Sequence, residues 1–246
     1  MYYPLTYFWI LIAIITFFLL QKVIAPFGRH TSNNWGPTIN ARWAWFIMEI
    51  PSPIVLNLSF YFHVHGDIYT DHLFLLGLWN LHYFNRSVIY PLRQKDVKKT
   101  MPVFTMSSAI FFNLINGFLN GSFLSWTATS ISHYPTLFYI GLGLFLLGAF
   151  INIWHDNILL GLRKKGDSTY YIPQKGMFSF ISCPNLLGEI IEWIGFMLMA
   201  YNLAALSFAI WTFANLAPRA IAHHKWYQQK FPDYPKNRKA LIPFIW

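Results

Sequence analysis

The chain has 246 residues, of which 55% are hydrophobic, 20% aromatic and 11% charged. Soluble domains carry about 25% charged residues, so this composition excludes an ordinary soluble domain. Apolar runs of membrane length recur along the chain, and the sequence therefore predicts an all-α polytopic membrane protein. The net charge of +9 would suit a nucleic-acid partner, but the positions of the cations explain it differently.

The first apolar run, near residues 4–24, is predicted to be a membrane span and not a cleaved signal peptide. No cation precedes it, and its first basic residue is Lys22. Further spans are predicted near 44–62, 72–91, 103–124, 136–160, 184–200 and 203–222, which makes about seven. The sixth is short, and the turn after it, at Tyr201 and Asn202, is tight. We interpret the chain as one membrane domain, with helices 1–4 in residues 1–125 and helices 5–7 in residues 126–246.

Basic residues fall on alternate loops. All 18 Lys and Arg residues lie near 22–43, 86–99, 161–183 and 219–239, whereas the loops near 63–71 and 125–135 have none. Cytoplasmic loops of membrane proteins are enriched in these cations, so the pattern predicts an outside N-terminus and a cytosolic C-terminus. The charge is thereby explained without nucleic acid. The single cysteine, Cys183, excludes an internal disulfide.

Ionisable side chains inside apolar spans cost about 2.5–3.5 kcal/mol each and are therefore functional candidates. In the last three predicted spans, polar residues form helical stripes near the cytosolic ends. The stripes are Asn152, Asp156 and Arg163; Asn185, Glu189 and Glu192; and Arg219, His223 and Tyr227. One polar pocket with a rim of cations, open to the cytosol, would satisfy all three. The alternative is that they are ion pairs that only hold helices together.

A second set of polar residues lies in the first half of the chain. Glu49 is in "WFIMEIPSP" on the second span, while Tyr83 and Arg86 are in "LHYFNR" on the third. A carboxyl group that stays protonated in an apolar segment, paired with a Tyr hydroxyl, would form an electrophilic clamp for a carbonyl oxygen. The alternative is a buried carboxyl group capped by a backbone or hydroxyl partner.

One outer loop combines residues with the chemistry of metal ligands, namely His63, His65, Asp67, Asp71 and His72. These residues lie away from the stripes, so they are interpreted as solvated loop residues and no metal site is predicted. The glycines of "GLGLFLLG", residues 141–148, have the wrong spacing for a dinucleotide fingerprint, and the chain has no P-loop.

Two long segments carry a resemblance to a known family. They read "INIWHDNILLGLRKKGDSTYYIPQKGMFSFISCPNLLGEIIEWIG" and "RAIAHHKWYQQKFPDYPKNRKALIPFIW". Both closely resemble the steroid 5α-reductases, which are 3-oxo-5α-steroid 4-dehydrogenases. The resemblance continues more thinly through "FGRHT", "AWFIMEIPS", "LHYFNR" and "NGFLNG". The short loops favour a bacterial member in the inner membrane, whereas a eukaryotic member would lie in the endoplasmic reticulum.

The resemblance implies a seven-helix membrane enzyme that binds NADPH within the bundle and reduces the C4–C5 double bond of a 3-oxo-Δ4 steroid. It implies that residues 126–246 hold most of the cofactor site, and no obligate protein partner is expected. The residues at cofactor-contacting positions are Arg29, Trp45, Arg86, Arg93, Asn152, Asp156, Arg163, Tyr170, Asn185, Glu189, Arg219, His223 and Tyr227. Glu49 and Tyr83 fall on the pair that holds the steroid C3 carbonyl. Trp193 is expected at the apolar substrate end, and Glu192 beside a cation.

Two residues depart from the family pattern. Met48 stands where the steroid enzymes commonly have Gln, and Asn85 stands where His is common. The substrate is therefore less certain than the reaction, and a reductase of a polyprenol or an enoyl thioester is an alternative. An integral-membrane methyltransferase of the isoprenylcysteine type is another. A proton-coupled transporter would predict internal symmetry, which the sequence lacks.

Overall fold

The computed structural model describes residues 2–26, 28–31, 35–66, 68–96, 98–164 and 166–245. Its helices are α1 (Tyr2–Lys22), α2 (Ala41–Glu49), α3 (Pro51–His63), α4 (Thr70–Phe84), α5 (Tyr90–Arg93), α6 (Val103–Leu124), α7 (Ser130–His133), α8 (Pro135–Gly161), α9 (Pro184–Ala200) and α10 (Leu203–Lys230). A π-helical turn, Asn85–Ile89, joins α4 to α5. Two short strands, β1 (Thr38–Asn40) and β2 (Thr100–Pro102), pair antiparallel. The predicted all-α class is confirmed apart from this strand pair.

Four helical segments in the described part of the chain are long and apolar enough to cross a membrane. They are Tyr2–Lys22, Ala41–His63, Val103–Leu124 and Pro135–Gly161. They coincide with the first, second, fourth and fifth predicted spans. The second of them contains both α2 and α3, with Ile50 between the two helices.

The other three predicted spans are helical but do not meet the same standard of length and apolarity. The third is divided by the π-helical turn. Helix α9 has 17 residues, and at ~1.5 Å per residue it is roughly 25 Å long, which is shorter than a ~30 Å hydrocarbon core. Helix α10 has 28 residues, but from Arg219 onward it is mostly polar. Seven membrane spans therefore stay a prediction.

The loops gather at two opposite ends of the bundle. At one end β1 pairs with β2, the Gly166 amide donates to the carbonyl of Lys95 at 3.2 Å, and residue 181 bridges to residue 239. At the other end His72 Nε2 lies 3.0 Å from the carbonyl oxygen of Thr127. The N-terminal Tyr2 ring packs on His63 at this second end, with 5.6 Å between ring centroids. The helices thus carry the chain from one end to the other and back.

Helices α8 and α9 approach each other closely because glycines face each other across the contact. A Cβ atom at Gly188 would lie 2.5 Å from the backbone nitrogen of Asn152 and 2.7 Å from the carbonyl oxygen of Gly148. Small residues permit this approach in membrane helix pairs. As a result the Asn152 amide on α8 donates to the carbonyl of Asn185 on α9, at 3.0 Å.

The turn between α9 and α10 is as tight as predicted. Tyr201 caps α9 in the left-handed conformation, with φ 49° and ψ 44°. The Asn202 side chain accepts a hydrogen bond from the Ala205 amide and so caps α10. The two helices therefore run antiparallel, so that α9 begins and α10 ends at the side of the bundle where the basic loops lie.

Candidate active site

A polar cavity of about 180 Å³ lies at the end of the bundle where the basic loops meet. It is bounded by α8, α9, α10, the π-helical turn and the loops that precede α2 and β2. Ten of the thirteen residues predicted to contact a cofactor line it. They are Arg29, Trp45, Arg86, Asp156, Arg163, Tyr170, Asn185, Glu189, Arg219 and His223.

The remaining three predicted cofactor residues do not line this cavity. Asn152 lies behind it, where its Nδ2 is 3.3 Å from Glu189 Oε2. Tyr227 lies under Arg29, whose guanidinium carbon is 4.4 Å from the ring centroid. Both therefore support lining residues. Arg93 is exposed at the end of α5.

Arg86 is placed between carboxylates of two different helices. Its Nη1 lies 3.3 Å from Asp156 Oδ2, and its Nη2 lies 3.8 Å from Glu189 Oε2. The Asn185 amide donates to the other oxygen of Asp156 at 2.9 Å. The guanidinium also stacks over Trp45, 4.6 Å from the ring centroid. The alternative of structural ion pairs is thus partly realised, but each of these groups also lines the polar cavity.

Positively charged side chains are concentrated at the mouth of the polar cavity. Arg163 lies over the Tyr170 ring at 4.2 Å, and Arg29 lies over the same ring at 5.4 Å. Burial, followed by the charges of Arg163 and Arg29, lowers the pKa of Lys99 to about 8. Lys99 was not among the residues predicted to line the site. Its signal was its place in the basic run after α5, which it shares with the half-buried Lys95 and the exposed Lys98.

His30 and His223 stack against each other at the edge of the polar cavity. Their rings are 5.2 Å apart and nearly parallel, at 6°, and His30 Nε2 is 3.1 Å from His223 Nδ1. Burial, followed by the charges of Arg29 and Arg219, lowers the pKa of His30 to about 4. His30 is therefore neutral at physiological pH. It was not among the predicted residues, because nothing local in the sequence places this loop beside α10.

A second, mainly apolar cavity of about 510 Å³ lies deeper in the bundle, between α1, α2, α6 and α10. Glu49, Tyr83 and Trp193, the three predicted substrate contacts, all line it. The Trp193 ring belongs to a buried aromatic cluster, with its centroid 4.4 Å from that of Phe208. The two cavities meet where four residues line both, namely Trp45, Arg86, Glu189 and Arg219.

The predicted carbonyl clamp contains a third residue. Asn113 on α6 accepts a hydrogen bond from the Tyr83 hydroxyl at 3.3 Å and donates one to Glu49 Oε2 at 3.4 Å. Its Nδ2 also donates to the Met48 carbonyl at 2.6 Å. Asn113 was not among the predicted site residues. Its signal was an amide in the middle of an apolar helix, which is costly without partners.

Glu192 does not join the polar cavity that its stripe predicted. Its Oε1 lies 2.8 Å from His82 Nδ1, and neither side chain is more than 6% exposed. Position 192 is one turn further along α9, where the helix faces α4 in place of α10. The partner of Glu192 is therefore His82, which is a cation only when its imidazole is protonated and which lines the apolar cavity next to Tyr83.

The interpretation of the outer loop as solvated is wrong for two of its residues. His72 is 6% exposed and bonds to the Thr127 carbonyl, and the Asp71 carboxylate accepts from the Thr129 hydroxyl. His65 is exposed. Within the described ranges, no three His, Cys, Asp or Glu side chains come together in a group that could hold a metal ion. Asp67 and the basic-loop residue Lys165 lie outside the described residues.

The chain has close relatives among known proteins. A family model described as 3-oxo-5-alpha-steroid 4-dehydrogenase matches residues 99–246. The chain is 41% identical over 245 residues to steroid 5-alpha-reductase DET2 of Gossypium hirsutum, which covers 96% of this chain and 94% of the relative. It is 40% identical over 225 residues to 3-oxo-5-alpha-steroid 4-dehydrogenase 1 of Macaca fascicularis, which covers 89% and 84% respectively. These relatives come from a plant and a mammal, and the bacterial source stays a prediction.

Proposed function

The chain belongs to the 3-oxo-5-alpha-steroid 4-dehydrogenase family, and we propose that it reduces the C4–C5 double bond of a 3-oxo-Δ4 steroid with NADPH as reductant. As a member it is an oxidoreductase of the steroid 5α-reductase type. One observation carries the proposal for this particular chain. A cation-lined polar cavity meets an apolar cavity that contains a carbonyl clamp, and the two share Trp45, Arg86, Glu189 and Arg219.

The residues that line the polar cavity have the chemistry that binds a phosphorylated dinucleotide. Guanidinium and ammonium groups bind phosphate oxygens, and Arg29, Arg163 and Lys99 supply them at its mouth. Nη1 of Arg29 is buried and makes no hydrogen bond within the described residues, as expected of a donor that serves a ligand. Deeper in the cavity, Asp156 and Asn185 offer acceptors and a donor that suit ribose hydroxyls and a carboxamide.

The apolar cavity fits the steroid. Its volume of about 510 Å³ lies within the ~300–1,000 Å³ range of small-molecule sites. Of the two departures from the family pattern, Met48 lines this cavity, whereas Asn85 lines neither cavity. The change at Met48 therefore bears on the choice of substrate, and the change at Asn85 does so only through the π-helical turn.

The residues of the clamp act on the C3 carbonyl oxygen of the enone. When bound, NADPH supplies a hydride that adds to C5. Tyr83 donates a hydrogen bond from its hydroxyl to the C3 oxygen and keeps its proton, and Glu49, in its protonated form, supports this donor while negative charge develops on the oxygen as the enolate forms. The clamp binds the charge-bearing transition state more strongly than the ketone, so it raises kcat and not only affinity. C4 then takes up a proton that comes from solvent, so each turnover consumes one NADPH and one proton.

We also propose seven membrane crossings, with the N-terminus outside and the polar cavity facing the cytosol. In support, Tyr2 and the loops that lack Lys and Arg lie at one end of the bundle, and the basic loops lie at the other. NADPH would then enter from the aqueous side, and the steroid from the lipid.

The test is NADPH oxidation by the detergent-purified chain, with testosterone or progesterone as substrate and product stereochemistry read at C5. We expect stoichiometric NADPH consumption and a 5α product. Turnover of a polyprenol or an enoyl thioester, with none of either steroid, would replace the substrate assignment. Binding of S-adenosylmethionine, without NADPH binding, would instead favour a methyltransferase.

A further inference from the structure

Asn113 joins the two proposed clamp residues, which do not bond directly to each other within the described contacts. The side chain is buried, at 3% exposure, on the face of α6 that looks onto α2 and α4. Its oxygen accepts from the Tyr83 hydroxyl, and its nitrogen donates to Glu49 Oε2. These contacts, at 3.3 and 3.4 Å, are long, as catalytic hydrogen bonds often are before substrate binds.

The orientation of the Asn113 amide is fixed by the backbone. The carbonyl of Met48 can only accept, and it lies 2.6 Å from Asn113 Nδ2, so the NH2 group must face α2. The amide oxygen then faces Tyr83, whose hydroxyl has to act as the donor. The second N–H of the same NH2 group points at Glu49. Because the amide occupies Oε2 of Glu49, the proton of a neutral Glu49 carboxyl group belongs on Oε1.

The other buried asparagines of α6 show that burial alone does not explain this placement. Asn116 accepts from the Trp9 indole at 3.2 Å, and Asn120 donates to a carbonyl of its own helix at 3.0 Å. Neither lines the apolar cavity, whereas Asn113 does. Of the three amides, only Asn113 is both in contact with the clamp and in the wall of the cavity.

We propose that Asn113 is a positioning residue, which holds the Tyr83 hydroxyl and the Glu49 carboxyl group in a fixed relation for the C3 oxygen. This inference rests on the proposed reduction. Without substrate, the Tyr83 proton is held by the Asn113 oxygen, so the buried donor is never unpaired. When the ketone arrives, the hydroxyl turns its single proton to the C3 oxygen, and the amide continues to hold Glu49.

The test compares Asn113→Leu, which removes donor and acceptor at similar size, with Asn120→Leu as the matched control on the same helix. We expect kcat to fall about 10- to 100-fold in Asn113→Leu, since small misplacements of catalytic groups cost up to about 10²-fold. KM for testosterone and the NADPH dissociation constant, measured by fluorescence titration, should change less than about threefold. Asn120→Leu should keep the wild-type kcat.

A double-mutant cycle with Tyr83→Phe separates positioning from general structural damage. If Asn113 acts partly through Tyr83, Asn113→Leu should cost less activity in the Tyr83→Phe background than in the wild type, because coupled residues are not additive. Multiplicative losses, or a wild-type kcat in Asn113→Leu, would overturn the proposal. If Asn113→Leu does not fold, the same cycle with Asn113→Ala gives the same reading. Absence of steroid turnover by the wild type would instead refute the proposed function.

Discussion

Nδ1 of His82 lies 2.8 Å from Oε1 of Glu192, and both side chains are buried between α4 and α9. The same two helices also pack through aromatic rings, with 5.0 Å between the centroids of Trp79 and Trp193, so this polar contact lies within an apolar interface. One oxygen of Glu192 bonds to the imidazole, and the other has no hydrogen-bond partner within the described residues. His82 is therefore the hydrogen-bond partner that offsets the cost of burying the Glu192 carboxyl group.

Removal of His82 should consequently destabilise the protein more than replacement of both residues. A buried ion pair that loses one partner typically costs about 3–5 kcal/mol, because the remaining charge is left unpaired. We expect His82→Leu to lower the midpoint of unfolding in detergent strongly, and the His82→Leu, Glu192→Leu double variant to recover part of that loss. Equal midpoints for the single variant and the wild type would contradict a charged pair. His133→Leu, in the short α7 helix at the outer end, is the control.

The sequence predicted the helices well because run length and periodicity report them directly. The apolar runs place six of the seven long helical stretches within three residues of their observed bounds, whereas the last, predicted near 203–222, continues to Lys230. The stripes also predicted that Asp156, Asn185 and Arg219 lie in one pocket, and all three line the polar cavity. Residues on one face of a helix point to the same side, so a stripe indicates a common environment before the neighbouring helix is known.

The sequence could not predict contacts that depend on which helices are neighbours. Glu192 continues the stripe of Glu189, yet its side chain contacts His82 on α4 and does not line the polar cavity. Successive turns of α9 therefore have different neighbours. Asn113 bridges Tyr83 and Glu49, which lie 30 and 64 positions before it in the sequence. His72 looked like a solvated loop residue but is buried by a contact with a loop 55 positions further on.

Loss of either clamp residue should reduce turnover without loss of cofactor. Removal of one donor to a developing oxyanion costs about 10²–10³ in rate. We therefore expect Tyr83→Phe and Glu49→Gln to lower kcat by about that factor, while NADPH still binds with the wild-type dissociation constant. Tyr139→Phe, on the exposed face of α8, is the control and should keep full activity. Near-wild-type kcat in both clamp variants would refute the assignment of these residues.

Affinity for NADPH should decrease as pH rises through about 8. The Lys99 ammonium, which lines the polar cavity, has its pKa lowered to about 8 by burial and by nearby arginines, so it is charged below that pH and neutral above it. A phosphate ligand binds the charged form, so binding above pH 8 must be coupled to the uptake of one proton. KM for NADPH should then rise by at most about tenfold per pH unit.

The matched variant for this pH dependence is Lys99→Arg, because a guanidinium remains charged over the whole range. It should give a KM for NADPH that is nearly constant from pH 7 to about pH 9. The measurement is a titration of NADPH at fixed steroid concentration and several pH values. An unchanged slope in Lys99→Arg would show that another group titrates.

Replacement of Gly188, at the contact between α8 and α9, should disrupt the wall of the polar cavity. A Cβ atom at Gly188 would lie 2.5 Å from the Asn152 nitrogen, so Gly188→Ala must push α8 and α9 apart. Overpacking of this kind costs about 1–3 kcal/mol. The shift should also separate Asn152 from Glu189, and NADPH affinity should fall together with the unfolding midpoint. The control is Gly143→Ala, on α8, where an added methyl group meets no atom within 4 Å. If Gly188→Ala matched this control in both measurements, the close helix contact could not be what holds the cavity wall in place.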